Sequence, residues 1–173
     1  MKRITYLLAW LSLAGVFGCT GSRELSERAP ELRHYNREAM RHIINGTIED
    51  VLGDPKSALV EYHQAAEIDS ASTGIYLALA ENYFFLEEFN SSIRMARKAL
   101  LRDDKNRDAL ELLAANYEKQ RLFNEAAQVY EQMDKLVPNN LETLYSLTTL
   151  QIINKIYDKA LLSYHRLVAA GLV

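Results

Sequence analysis

A 34-residue period runs through most of this chain. Blocks Ala39–Ser72, Thr73–Asn106, Arg107–Asn140 and Leu141–Val173 align without gaps. Their twentieth position reads Ala58, Ser92, Ala126, Ala160, and their eighth reads Gly46, Ala80, Ala114, Thr148. The seventeenth reads Pro55, Phe89, Phe123, Tyr157, and the twenty-fourth Tyr62, Ala96, Tyr130, Tyr164. Small residues recur where two helices must cross closely, and large ones where the gap between them needs filling. Within each block, apolar residues fall three and four apart in two runs separated by a short turn, the spacing of two amphipathic helices. Only 7 Gly and 3 Pro occur in 173 residues, and helix formers are plentiful, which disfavours strand-rich folds. Asp54 caps and Pro55 begin the second helix of the first block. Val137 before Pro138 is pushed out of the helical region and ends another.

The pattern resembles the tetratricopeptide repeat, a helix–turn–helix unit of this length. The third block is the best copy, with Leu113, Ala114, Tyr117, Phe123, Ala126, Tyr130 and Pro138 on pattern positions. The first is the weakest, with Glu49 and Ser70 off pattern. The resemblance implies an all-α, right-handed superhelical solenoid of four repeats (39–72, 73–106, 107–140, 141–173), within a folded region spanning 30–173. Pro30 suits a first helical position there. One helix pair cannot bury its apolar faces alone; stacked pairs share a continuous core and leave a concave and a convex side.

The N-terminus has a different character. Lys2 and Arg3 precede an uncharged run, Ile4 to Phe17. As a helix it would be about 21 Å long, short of the roughly 30 Å hydrocarbon core. A secretory signal at 1–18 fits better than a span. Val16-Phe17-Gly18-Cys19 resembles the lipobox of bacterial lipoproteins, although Phe17 stands where that family usually has a small residue. The resemblance implies cleavage before Cys19, acylation of its thiol and amine, and a polar tether over 19–29. Buried acyl chains anchor a protein at about 0.8 kcal/mol per CH₂. Cys19 is the only cysteine, so no internal disulfide can form. Thr20 after it, by resemblance to enteric lipoproteins, points to the outer membrane. The expected location is the bacterial envelope, lipid-anchored and facing the periplasm.

Little suggests chemistry. His34 and His42 lie eight apart, but no third ligand accompanies them or His63 and His165. Glycine-rich phosphate loops, HExxH and CxxC are absent from the sequence. Glu87–Glu88 and Asp103–Asp104 sit at turns. A net charge of −3 without a basic block gives no footprint for nucleic acid. No catalytic residue, metal or cofactor is expected. Tyr83, Tyr117, Tyr130 and Tyr164 fall on repeat-core positions, where packing accounts for them.

Function is therefore expected in the concave groove. The family resemblance implies that the first helix of each repeat lines it, through positions 2, 5, 6, 9, 12 and 13. These give Leu77, Ala78, Glu81, Phe84 and Phe85 in the second block. The third gives Asp108, Glu111, Leu112, Ala115, Glu118 and Lys119. The fourth gives Tyr145, Ser146, Thr149, Ile152 and Ile153. The family's carboxylate clamp needs Lys, Arg and Asn at places held here by Ile43, Thr47, Ala78, Asp108 and Leu112. An apolar wall with an acidic middle suits an amphipathic helix or extended peptide bearing positive charge. The expectation is a membrane-anchored interaction scaffold in envelope assembly, binding a protein or peptide ligand. The alternative is a docking arm for a longer enzyme or sensor. The closing helix, about 158–170, carries Leu161, Leu162, Tyr164, Leu167 and Val168, too many apolar residues for one inner face. Exposure of some of them is expected, with either self-association through that end or fraying over 158–173.

Overall fold

The computed structural model describes residues 36–171; Cys19, His34, Pro30 and the 1–29 segments lie outside them. Eight α-helices follow one another: α1 Arg37–Leu52, α2 Pro55–Ile68, α3 Thr73–Phe85, α4 Phe89–Leu100, α5 Arg107–Lys119, α6 Phe123–Leu136, α7 Leu141–Ile153 and α8 Tyr157–Gly171. No strand occurs among the described residues. Each helix packs on its neighbours in the chain, and α3 also touches α5. This is an all-α repeat solenoid, with one helix pair in each block.

The periodic small residues make that packing possible. Ala58, Ala80, Ala114 and Ala126 are fully buried, and Ala160 nearly so. Ser92 takes the place of alanine at position 20 and is also fully buried. Its hydroxyl donates to the Ala80 carbonyl at 2.7 Å and accepts from Asn116 Nδ2 at 2.8 Å. A polar atom is thus tolerated at a helix crossing because its bonds close locally. Leu79, Leu110 and Leu144 fill the space between pairs.

All four pairs turn on the same device. Position 15, occupied by Gly53, Glu87, Arg121 and Lys155, adopts the left-handed conformation with φ between 59 and 78°. Its N–H bonds back to position 12, and the next N–H reaches position 11, as in Glu87 to Phe84 and Glu88 to Tyr83. This double bond pattern closes the last turn of the helix and reverses the chain within two or three residues. Only Gly53 signals it in sequence, since glycine adopts positive φ without a Cβ clash. In the other three pairs position 15 carries a non-glycine residue in that conformation.

Helix starts follow ordinary capping. Asp54 Oδ1 accepts from the Lys56 and Ser57 N–H groups, with Pro55 at the first helical position. Asn106 and Asn140 cap α5 and α7 through Ala109 N and Thr143 N. Ser72, before α3, makes no side-chain cap bond.

At the last pair the pattern of burial changes. Position 21 is buried in the first three repeats (Leu59, Ile93, Ala127), yet Leu161 is 57 % exposed. Tyr164 is 52 % exposed, whereas Tyr62 and Ala96 at the same position are buried. Tyr164 is therefore not a core residue, contrary to its place in the pattern. In the inner repeats the following helix pair covers positions 21 and 24; no described helix follows α8. Leu162 and Val168 are exposed too.

Candidate functional site

Helices α1, α3, α5 and α7 are the first helices of their pairs, the ones that the tetratricopeptide resemblance assigns to the concave face. The groove residues read from sequence divide here into an exposed group, to which Glu81 belongs, and a half-buried one. Phe85, Tyr145, Thr149, Ile152 and Lys119 are exposed, and Phe85 presents 74 % of its surface. Leu77, Phe84, Ala115, Glu111 and Glu118 are half-buried. Leu77 packs against the core, and the Phe84 ring meets the Phe89 ring edge-on at 5.8 Å. Thr149 turns its hydroxyl back onto the Tyr145 carbonyl, 2.9 Å away. Glu111 pairs with Arg107, which also lies 3.7 Å from Glu142.

Acidic side chains gather on this face. Asp50, Glu81, Asp108 and Glu118 take no part in any ion pair within 4.0 Å among the described residues. Burial pushes the Glu81 carboxyl above its ordinary range, and the negative charges of Asp50 and Asp108 push it the same way. Removal from water and like charge both disfavour ionisation.

Two tyrosines from second helices reach this rim. Tyr62 donates to Asp50 Oδ2 at 2.6 Å. Burial raises its hydroxyl to about 12, with Asp50 adding to the rise. Tyr130 is likewise raised to about 12, mainly by burial, with Ser146 and Glu118 bordering its hydroxyl. Tyr62 with Asp50 and Tyr130 with Glu118 occupy the same two positions, 24 and 12, of their repeats. The second repeat replaces such a pair with Ala96 and Phe84, so the aromatic ring moves from one helix to the other. The sequence reading assigned the tyrosines to packing and missed Asp50. The recurrence of acid at position 12 with tyrosine at position 24 was the available signal.

A hollow of about 310 Å³ opens where α1 and α3 end. Asp50, Gly53, Pro55, Glu81, Asn82 and Phe85 line it. A narrower cleft of about 40 Å³ lies between the third and fourth repeats, bordered by Leu110, Met133 and Val137.

The histidines of the described residues each lie beside a different neighbour. His42 Nδ1 lies 2.7 Å from Glu61 Oε2, which holds the Glu61 carboxyl below its usual range. His63 Nε2 is 2.8 Å from the Tyr83 hydroxyl. The His165 ring sits beside that of Tyr164. No group of three or more His, Cys, Asp or Glu residues suited to a metal occurs among the described residues. No helix among them is long and apolar enough to cross a membrane.

No family model and no curated protein matches the sequence. Solved structures do match its fold. The crystal structure of MamA superposes with a TM-score of 0.70 at 17 % identity, covering 79 % of this chain and 80 % of MamA. YrrB, described as a TPR protein with an unusual peptide-binding site, gives 0.67 at 21 % identity over 78 % of this chain and 70 % of its own. The first TPR of Spaghetti (RPAP3), bound to the HSP90 peptide SRMEEVD, gives 0.63 at 20 % identity over 69 % and 94 %. These likenesses establish the fold as that of a tetratricopeptide-repeat solenoid.

Proposed function

We propose that this chain is a non-enzymatic interaction scaffold of the bacterial envelope. A lipid on Cys19 holds it to the outer membrane, on the periplasmic side, and the groove of its repeats binds a segment of a partner protein. The observation that carries the binding role is Phe85. A phenylalanine three-quarters exposed, beside carboxylates with no ion-pair partner within the described fold, costs solubility without contributing to the core. Tyr145 and Ile152 extend the apolar surface along the same face.

Two structural neighbours, YrrB and the first TPR of RPAP3, concern peptides, which supports a peptide ligand here. The ligand's charge must differ. The peptide SRMEEVD is acidic at its end. This groove offers Asp108 where a basic clamp would stand, and the surroundings of Glu81 repel further negative charge. An amphipathic partner segment bearing positive charge fits better. The anchoring rests on Lys2 and Arg3, the apolar run to Phe17, and the placement of Cys19.

Photo-crosslinking in intact cells tests the reading. A photoreactive residue at Phe85 should capture a discrete partner, and one at Gln128, exposed on α6, should not. Equal capture from both positions, or none from Phe85, overturns the groove assignment.

A further inference from the structure

We infer that the hollow between α1 and α3 is a subsite for one arginine or lysine side chain of the bound partner segment. The inference rests on the groove-binding reading above and specifies how the groove chooses its ligand. The lining supplies the argument. Asp50 and Glu81 contribute carboxylate oxygens from neighbouring repeats. Asn82, only 6 % exposed, contributes a third acceptor. Its Nδ2 donates to the Ala78 carbonyl at 3.0 Å. The bonded end must therefore be the nitrogen, which leaves Oδ1 as the other end of the amide. That oxygen accepts no hydrogen bond among the described residues. The polar side chains of the hollow are thus acceptors, and Tyr62, the donor nearest to Asp50, is already committed to it.

A ligand group that satisfies several acceptors and offers none is a guanidinium or an ammonium. Phe85 adds an aromatic surface for the aliphatic stem or for the cation itself. Gly53 leaves space at the mouth, since a Cβ there would meet nothing within 4 Å. About 310 Å³ accommodates one such side chain with room for water. A cation placed here would also relieve the mutual repulsion among Glu81, Asp50 and Asp108.

The chain's own upstream residues suit the hollow less well than an external segment does. Residues 19–35 carry three arginines and three glutamates. Their net charge is zero, so they bring no surplus cation to an acidic face.

Peptide binding to the full chain in detergent micelles tests the proposal. The probes are three fluorescein-labelled Leu/Ala dodecapeptides with arginine, norleucine or glutamate at one central place. The arginine peptide should bind about tenfold more tightly than the norleucine peptide, with the glutamate peptide weaker still. Glu81→Gln should abolish the arginine preference while leaving norleucine binding unchanged. Asp50→Asn, which keeps an acceptor for Tyr62, should reduce the preference in part. Circular dichroism confirms that each variant is folded, and Glu81, on the exposed side of α3, provides the variant least coupled to folding. Equal binding of arginine and norleucine peptides, or an arginine preference that survives Glu81→Gln, overturns the subsite. If Phe85 still captures a partner in cells, the groove reading then stands alone. Loss of Phe85 capture removes both.

Discussion

Gly46 and Tyr62 lie so close that a Cβ on Gly46 would stand 2.8 Å from Cε1 of the tyrosine ring. The two residues occupy positions 8 and 24 of the first repeat. The ring is 4 % exposed, and its hydroxyl is bound to Asp50, so it has little freedom to retreat. Gly46→Ala gains about 1 kcal/mol of helix propensity but overpacks the crossing at a cost of roughly 1–3 kcal/mol. We expect net destabilisation of about 1 kcal/mol, measured by chemical unfolding. Adding Tyr62→Leu should cost less than the sum of the two single changes. A Gly46→Ala protein more stable than the parent would show that the ring moves freely.

Asp134 and Arg166 join α6 to α8 through two parallel bonds of 2.7 and 2.8 Å. Arg166 holds the Asp134 carboxyl below its ordinary range, against a smaller opposing effect of burial. A carboxylate with a lowered folded pKa contributes stability above its unfolded pKa, near 3.9. That contribution disappears as the pH falls through the folded value. Arg166→Gln should therefore cost about 1 kcal/mol at neutral pH. Once the pH has fallen below the folded value, the stabilities of parent and variant should converge. A difference constant down to that pH would mean that Arg166 acts through packing alone.

The lipid anchor makes a separate prediction. Cys19→Ser should abolish labelling by a fatty-acid analogue, and should either free the protein from membranes or leave a slower-migrating precursor. The processed wild-type protein should emit tyrosine fluorescence alone, because cleavage before Cys19 removes Trp10, the single tryptophan. Undiminished labelling of the serine variant rules the anchor out.

The exposed end of the stack bears on self-association. Leu161 and Tyr164 occupy positions that the next repeat covers elsewhere, and apolar surface of this kind favours pairing. Leu161→Glu with Tyr164→Lys should leave helical circular dichroism unchanged, because both residues already face water. The same pair should remove any concentration dependence of the sedimentation coefficient. A parent protein strictly monomeric at all concentrations would show that the surface is tolerated as it stands.

What the sequence determined by itself is the repeat and its register. Alanine or serine at position 20 and the small residues at position 8 report a steric constraint that acts between helices close in the chain. Such a constraint leaves its mark at every copy. Asp54 with Pro55, and Val137 before Pro138, mark helix ends by equally local physics. The exposed face of α8 was legible for the same reason, since its apolar residues outnumber one inner surface. The tertiary structure alone decided the rest. The left-handed turn at Glu87, Arg121 and Lys155 is imposed by closing one helix onto the next, and none of these residue types advertises it. The hollow combines Asp50 and Gly53 of one repeat with Glu81, Asn82 and Phe85 of the next. Its acceptors come together only because stacking brings α1 beside α3. The surroundings of Asn82 Oδ1 likewise depend on which helix lies opposite. No spacing along the chain records that relationship, because it is a property of the surface between repeats.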